Sequence, residues 1–322
     1  MPLNTMRNLR TMAILLILED KQLARKAPPF FFIAIIEAAS AQFISPMTES
    51  KLQPSMLELL VERTKRGISA YIHPQPACTH KQIFTIEGEI GAGKTELAKQ
   101  LAATLERRGH SVCLVLEPVQ QWKDVGILQE FYKDPTRFAY SFQTYVFATR
   151  VLAIHEAVMA KPEASIYIFE RSPVTDPVFM ALQEVAPLER AMYDTWCMSW
   201  LSMSAIDYSK ATALYLRTSA DVCMERVAKR AREGEIVSES TAKDESAPVA
   251  AGGVSAAYQA LLRQANEAFF LGLHPGKFPN LPTNPIKSVI EVAPSQADGD
   301  FRASSPSSLR IINGVLRDMG YP

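Results

Sequence analysis

An eight-residue segment from Gly88 to Thr95 has the residue types and spacing of a phosphate-binding loop, G-x-x-x-x-G-K-[ST]. Its glycines let backbone N–H groups converge on phosphate oxygens with no Cβ in the way. We expect Lys94 to reach the β- and γ-phosphates and the Thr95 hydroxyl to bind Mg²⁺. An apolar run precedes the segment and a helical run follows it, which disfavours a chance match. The predicted nucleotide contacts are Gly88, Gly91, Ala92, Gly93, Lys94 and Thr95, with ATP and Mg²⁺ as cofactors.

Such a loop defines a superfamily and leaves the reaction open. No N-K-x-D guanine-reading motif is present, and the acidic strand 165–170 is followed by Arg171-Ser172 rather than by the Asp-Glu pair of many ATPase motors. These features favour phosphate transfer to a small molecule.

Two carboxylates are predicted to lie beside the loop. Glu117 follows the apolar run SVCLVL and precedes Pro118, and Glu170 ends the run SIYIFE just before Arg171. Ligands of open α/β sheets bind at the carboxyl ends of the strands. One acid could therefore accept a hydroxyl proton while the other supports Mg²⁺. A solvated strand end would explain either acid alone, but less readily the two together.

Several ordered motifs then resemble one kinase family. In chain order they are E-P-V-x-x-W at 117–122, Tyr132, F-Q-T-Y at 142–145, Arg150, E-R-S at 170–172, Asp176, and R-x-x-x-R-x-R-x-x-E at Arg226, Arg230, Arg232 and Glu235. From about residue 82 to 320 the chain resembles the deoxyribonucleoside kinases, the group of deoxycytidine, deoxyguanosine and mitochondrial thymidine kinases.

The resemblance implies catalytic roles for these residues. Glu117 would be the general base for a nucleoside 5′-hydroxyl, and Arg171 would orient it and touch the phosphates. Glu170 would support Mg²⁺ together with Thr95. The arginines of the lid segment would close over the phosphoryl group as its charge spreads; these are Arg226, Arg230 and Arg232. A solvated basic helix face is the alternative for them.

The nucleoside would be held by a second group of side chains. The Gln143 carboxamide can both donate to and accept from a base edge, and Trp122 and Phe142 offer flat apolar walls. Core packing is the alternative for these two aromatic residues. The resemblance assigns the sugar 3′-hydroxyl to Tyr132 and Glu235. It assigns Arg150 and Asp176 to bases with an exocyclic amino group or a purine edge, which favours deoxycytidine or a purine deoxynucleoside over thymidine.

The chain also departs from the family pattern. The phenylalanine that stacks on the base falls at Met180, with Phe179 beside it, and Pro177 replaces a basic residue after Asp176. Gly234 replaces an acid of the lid segment. Residues 238–255 are small and polar and predict a flexible insertion that lengthens the exit from the lid.

The elements that position these residues follow from apolar periodicity. The predicted strands are 82–87, 111–117, 165–170, 211–217 and 287–292. The predicted helices are 93–108, 135–160, 177–207, 219–233, 255–270 and 309–319. Strands that alternate with helices indicate a parallel sheet covered on both faces. We therefore expect an α/β P-loop NTPase fold of three layers, with a five-stranded parallel sheet and a helical lid.

Composition limits the remaining choices. The 322 residues contain 34 Lys and Arg and 34 Asp and Glu, so the formal net charge is zero, which argues against bulk binding to nucleic acid or an acidic membrane. The four cysteines match no metal spacing and predict buried, reduced thiols. Residues 1–80 are predicted to be an extension, either disordered or a targeting segment. Residues 81–322 are predicted to be the kinase domain.

Together these features predict ATP-dependent phosphorylation of a deoxyribonucleoside 5′-hydroxyl in nucleotide salvage, by a homodimer. We expect a cytoplasmic location, with the mitochondrion as the alternative if residues 1–80 are a transit peptide. A nucleoside monophosphate kinase resembling thymidylate kinase is the alternative activity. A catalytically silent nucleoside-binding subunit is the alternative from another class.

Overall fold

The fold was analysed in a computed structural model of the chain, which describes residues 81–202, 204, 206–230, 253–301 and 306–321. The predicted boundary between residues 80 and 81 stays a prediction, because residues 1–80 lie outside the described part. The flexible insertion at 238–255 also stays a prediction, since 231–252 are not described.

Five strands form one parallel sheet, as predicted. They are β1 (Gln82–Gly88), β2 (Val112–Val115), β3 (Ile166–Glu170), β4 (Thr212–Leu216) and β5 (Ser288–Val292). Their order across the sheet is β2-β3-β1-β4-β5, and all four neighbouring pairs are parallel. The first strand therefore lies at the centre, and the loop after it opens at the carboxyl edge of the sheet.

Ten α-helices connect and cover the strands in the described residues. They are α1 (Lys94–Arg107), α2 (Val119–Val125), α3 (Ile127–Lys133), α4 (Pro135–Ala160), α5 (Asp176–Met180), α6 (Pro187–Ser202), α7 (Ala220–Arg230), α8 (Ala256–Leu271), α9 (Pro294–Ala297) and α10 (Pro306–Asp318). None of them is long and apolar enough to cross a bilayer.

The two faces of the sheet are covered by different helices. Ile86 of β1 and Ile168 of β3 pack on one face with Leu101 of α1 and Val315 of α10. On the other face, Tyr167 and Phe169 of β3 pack with Ile154 of α4 and Leu262 of α8. Because successive side chains of a strand point to opposite faces, this alternation produces the predicted three layers.

Two parts of the secondary structure differ from the prediction. The predicted helix 177–207 is two helices, α5 and α6, and the second begins at Pro187, a residue suited to a first helical turn. The predicted strand 111–117 ends at Val115, and two short helices that we did not predict follow it. Gly126, with φ of 81°, separates α2 from α3.

Candidate active site

The phosphate-binding loop joins β1 to α1 in a turn that only glycine fits. Gly91 has φ of +83°, and a Cβ built on it would lie 2.4 Å from the carbonyl oxygen of Cys223 in α7. A Cβ on Gly88 would lie 2.7 Å from the carbonyl oxygen of Leu216. The loop thus packs directly on backbone at these two glycines, a close approach that suits a phosphate cradle.

Lys94 folds back over this loop. Its Nζ donates to the carbonyl oxygens of Glu89 (2.8 Å) and Gly88 (3.3 Å), and the side chain is only 6% exposed. Burial, with the nearby Arg171 charge, lowers the pKa of Lys94 from 10.5 to about 8. The ammonium is therefore a strongly desolvated charge, and an anion in the loop would stabilise it.

Thr95 and Glu170 meet beside Lys94. The Thr95 hydroxyl donates to Glu170 Oε1, and Glu170 Oε2 accepts from the backbone N–H of Glu117 at 3.3 Å. Burial and the neighbouring Glu117 charge raise the pKa of Glu170. A hydroxyl and one carboxylate are the oxygen ligands that Mg²⁺ uses when phosphates and water complete its shell. The described residues contain no group of three or more His, Cys, Asp or Glu side chains that could hold a metal ion.

Glu117 is held between two arginines. Its Oε1 lies 2.6 Å from Arg150 and 3.2 Å from Nε of Arg171. Burial alone would raise the pKa of Glu117, but the charges of Arg171 and Arg150 lower it below 4.5. The carboxylate is therefore ionised at neutral pH, the state that a general base requires.

Arg171 has an unusual backbone for a long side chain. Its φ of +61° is in the left-handed region, which costs a non-glycine residue of order 1–3 kcal/mol. Its guanidinium lies 4.5 Å from the ring centre of Phe179, and its buried Nη1 has no hydrogen-bond partner in the described residues. The structure thus keeps a buried donor next to Glu117, available to an anionic ligand.

Arg150 links Glu117 to Asp176. Besides its contact with Glu117, it forms a buried ion pair with Asp176, and its guanidinium lies 5.7 Å from the ring centre of Trp122. Asp176 Oδ2 is buried and makes no hydrogen bond within the described chain. The predicted Arg150 and Asp176 pair is therefore present, and it is joined directly to the predicted base.

An aromatic cluster borders this network. The rings of Phe131 and Phe142 stack at 4.4 Å, and Trp122 meets Phe142 edge-on at 6.3 Å. Trp122 Nε1 donates to Thr149, and Tyr132 is buried in the same cluster. These rings therefore pack on one another, and core packing explains part of their burial. Gln143, also predicted to contact the base, is buried on α4 beside Phe142.

The neighbours Met180 and Phe179 point in different directions. Met180 is fully buried in a separate apolar cluster with Phe147, Tyr193 and Cys197. Phe179 lies beneath the Arg171 guanidinium. The position that matches the family's stacking phenylalanine is therefore a core residue, and Phe179 is the aromatic side chain that faces the site, a distinction that an ungapped match could not make.

The Arg226 guanidinium contacts backbone carbonyl oxygens, and its predicted contact with phosphate stays a prediction. It donates to the carbonyl oxygens of Ala92 (2.9 Å), Asp298 (3.1 Å) and Gly299 (2.8 Å). These bonds tie α7 to the phosphate-binding loop and to the turn after α9, because a planar guanidinium can serve several acceptors at once. Arg230 ends α7 and its charge contributes to the lowered pKa of Lys94. Arg232 and Glu235 lie outside the described residues.

Two buried acids of the site were not predicted. Glu87 accepts hydrogen bonds from Ser172 and Thr175, and Glu89 accepts one from the hydroxyl of Tyr215 at 2.8 Å. Burial raises the pKa of both carboxyls. The only signal in the sequence is the acid in the apolar run QIFTIE.

Three of the four cysteines are within the described residues: Cys113, Cys197 and Cys223. All three are buried free thiols, which confirms the prediction for them, and burial raises their pKa values. Cys78 lies outside the described part.

The parallel sheet and its loop define a P-loop nucleotide-binding protein of the α/β class. Comparison with known proteins narrows this class. A family model for deoxynucleoside kinase matches residues 84–241. The similarity to the deoxynucleoside kinase family thus covers residues 84–241, just under half of the chain.

Similar curated proteins include a probable deoxycytidine kinase of fowlpox virus, 35% identical over 161 residues, which are 49% of this chain and 64% of the viral protein. Deoxycytidine kinase 2 of Gallus gallus is 30% identical over 178 residues, 47% of this chain and 66% of that protein. The mitochondrial deoxyguanosine kinase of Xenopus laevis is 27% identical over 181 residues, which are 47% of this chain and 65% of that protein. The match thus spans slightly less than two thirds of each relative.

Proposed function

We propose that this protein transfers the γ-phosphate of ATP to the 5′-hydroxyl of a deoxyribonucleoside, with Mg²⁺ as cofactor. The observation that carries the proposal is the ionised Glu117 carboxylate, fixed by Arg150 and Arg171 next to the Thr95 and Glu170 pair of the phosphate-binding loop. A base and a phosphate cradle at one edge of the sheet are the two groups that such a transfer requires.

Each residue has a defined task in this proposal. Glu117 accepts the proton of the 5′-hydroxyl, and Arg171 directs its buried nitrogen at the transferring phosphoryl group. Lys94 neutralises charge on the terminal phosphates as it leaves its two carbonyl contacts. Thr95 and Glu170 would hold Mg²⁺, which would supply charge neutralisation at the phosphate oxygens. Arg230 and, outside the described residues, Arg232 would approach from the lid.

We infer that deoxycytidine or a purine deoxynucleoside is the favoured substrate. The buried pair of Arg150 and Asp176 supplies a donor and an acceptor, and Asp176 Oδ2 has no hydrogen-bond partner in the described residues. An exocyclic amino group would satisfy that oxygen. Tyr132 and Glu235 stay predicted contacts of the sugar. The relatives' printed names include deoxycytidine, deoxyguanosine and thymidine kinases, so their names alone leave the base open.

The proposal is tested with purified protein, ATP-Mg²⁺ and each of the four deoxynucleosides in parallel. Glu117→Gln should lower kcat by about 10²- to 10⁴-fold, the usual contribution of a positioned base. Glu130→Gln, a change at a half-exposed glutamate of α3, is the matched control and should leave kcat unchanged. No phosphorylation of any nucleoside, or a Glu117→Gln rate within tenfold of wild type, would contradict the proposal. Thymidine as the best substrate would contradict only the base assignment.

We also propose a homodimer and a cytoplasmic location, with the mitochondrion as the alternative. Leu188, Met192 and Met198 of α6 expose apolar surface, with Leu188 at 71% and Met198 at 65%, which supports a subunit contact there. Light scattering after gel filtration tests the dimer, and a monomer at micromolar concentration would contradict it. A fusion of residues 1–80 to a fluorescent reporter tests the location.

A further inference from the structure

Glu87 is a buried acidic residue near the carboxyl end of its strand. It belongs to β1, the middle strand of the sheet, and has no exposed surface. A buried carboxylate is costly unless hydrogen-bond donors compensate for the lost water. Its presence at this position therefore calls for a set of partners.

Three hydrogen bonds join Glu87 to the segment that follows β3. Its Oε1 accepts from the backbone N–H of Ser172 at 3.0 Å and from the Ser172 hydroxyl at 2.9 Å. Its Oε2 accepts from the Thr175 hydroxyl at 3.1 Å. Three donors of this segment therefore converge on one carboxylate.

These bonds hold the chain on the carboxyl side of Arg171. On the amino side, the N–H of Arg171 donates to the carbonyl oxygen of Ile86 at 3.0 Å. Two successive residues of β1 therefore hold the backbone on both sides of Arg171 by hydrogen bonds. Arg171 has a φ of +61°, a conformation that a non-glycine residue rarely adopts without such support. With the backbone held in this way, Nε of Arg171 lies 3.2 Å from Glu117.

We propose that Glu87 is a positioning residue of the reaction: by binding Ser172 and Thr175, it holds Arg171 in the strained backbone that aims its guanidinium at Glu117 and the phosphoryl site. The inference rests on the proposed function. Glu87 touches neither substrate nor phosphate in this account, and its effect on the reaction passes through Arg171.

A double-mutant cycle separates this role from a general contribution to folding. Glu87→Leu removes the acceptor at similar volume, Arg171→Ala removes the guanidinium, and the double variant combines them. If Glu87 acts through Arg171, Glu87→Leu lowers kcat about 10- to 100-fold in the wild-type background, but changes it less than about threefold in the Arg171→Ala background. The nucleoside KM should change less than about threefold in Glu87→Leu, because Gln143 and the aromatic cluster are intact.

Tyr167→Phe is the stability control. It deletes two partly buried hydrogen bonds of β3: the tyrosine hydroxyl donates to the carbonyl oxygen of Lys161 at 2.9 Å and accepts from Lys81 Nζ at 2.9 Å. It should lower the melting temperature but leave kcat unchanged. If Glu87→Leu does not fold, Glu87→Gln and Ser172→Ala replace it in the cycle. Glu87→Gln keeps an acceptor for Ser172 and should lose less activity than Ser172→Ala combined with Thr175→Val.

The outcomes are distinct. Two results would overturn the positioning role: additive effects of Glu87→Leu and Arg171→Ala on kcat, or a Glu87→Leu rate within threefold of wild type. In both cases the activity of the wild-type protein would still support the proposed function. A wild-type protein that phosphorylates no nucleoside would instead overturn the proposed function itself.

Discussion

Lys94→Met removes a central residue of the site. In the nucleotide-free protein, the stability of this variant relative to wild type should nevertheless be higher at pH 7 than at pH 10. In the folded chain the pKa of Lys94 is about 8, compared with 10.5 for an ordinary lysine, because the side chain is buried. At 1.36 kcal/mol per pH unit, the charged form costs the folded state about 3 kcal/mol at pH 7. An apolar side chain of similar length does not carry this cost.

The pH dependence isolates the charge from the lost hydrogen bonds. Between about pH 8 and pH 10.5 the unfolded chain keeps a proton on Lys94 that the folded chain has released, so the free energy of unfolding rises with pH in this window. The cost of the charge therefore falls by about 2.5 kcal/mol between pH 7 and pH 10. The bonds from Lys94 to the carbonyl oxygens of Gly88 and Glu89 are lost in the variant at both pH values, so they largely cancel.

The assay is denaturant unfolding of wild type and Lys94→Met at pH 7 and pH 10 without nucleotide. The stability of the variant relative to wild type should be higher at pH 7 than at pH 10 by about 2.5 kcal/mol. Lys99→Met, at an exposed lysine of the same helix, is the control and should show no such difference. A difference below about 1 kcal/mol, or one of opposite sign, would refute the reasoning that Lys94 is a desolvated charge awaiting an anion.

Three further predictions follow from the site. Gly91→Ala places a Cβ against the Cys223 carbonyl and should lower the ATP affinity at least about tenfold in a thermal-shift titration. In the control Gly109→Ala the added Cβ meets nothing within 4 Å, so the ATP affinity should be unchanged. Equal losses of affinity in the two variants would contradict this prediction. Arg226→Lys should lower the free energy of unfolding by about 1–3 kcal/mol, because one ammonium group cannot make all the hydrogen bonds of the guanidinium to backbone carbonyl oxygens. Unchanged stability together with a lower kcat would indicate that Arg226 contacts phosphate instead. The profile of kcat/KM against pH should have no acid limb from Glu117 above pH 4.5, since its pKa lies below that value; a limb near pH 6 would argue against Glu117 as the base.

Much of the fold could be predicted because its strands are short apolar runs and because its longest helix, α4, is not interrupted. The predicted helix 135–160 agrees with α4, and the five predicted strands all occur. The helices α2 and α3 were missed because each has only seven residues, too few for a clear 3.6-residue pattern. The spacing of the phosphate-binding loop could be found because a local motif contains all of its parts.

The rest of the site depends on contacts between distant parts of the chain. Arg226 bonds to carbonyl oxygens more than seventy residues away, and Glu87 bonds to Ser172 across 85 residues. No local sequence pattern specifies such partners. Because every residue type has a backbone carbonyl group, a hydrogen bond to a carbonyl does not restrict the residue type of the acceptor. A helical arginine next to a phosphate-binding loop therefore looks the same in sequence whether it binds phosphate or backbone.

The central place of β1 also has a consequence for synthesis of the chain on the ribosome. Its neighbours in the sheet are β3 and β4, and Ile83 pairs with Tyr167, which is translated 84 residues later. At about 5–20 residues per second, the apolar strand and the phosphate-binding loop wait roughly 4–17 s before a hydrogen-bonding neighbour exists. During that interval β1 is an unpaired apolar strand, the kind of exposed segment that is prone to aggregation and that chaperones cover.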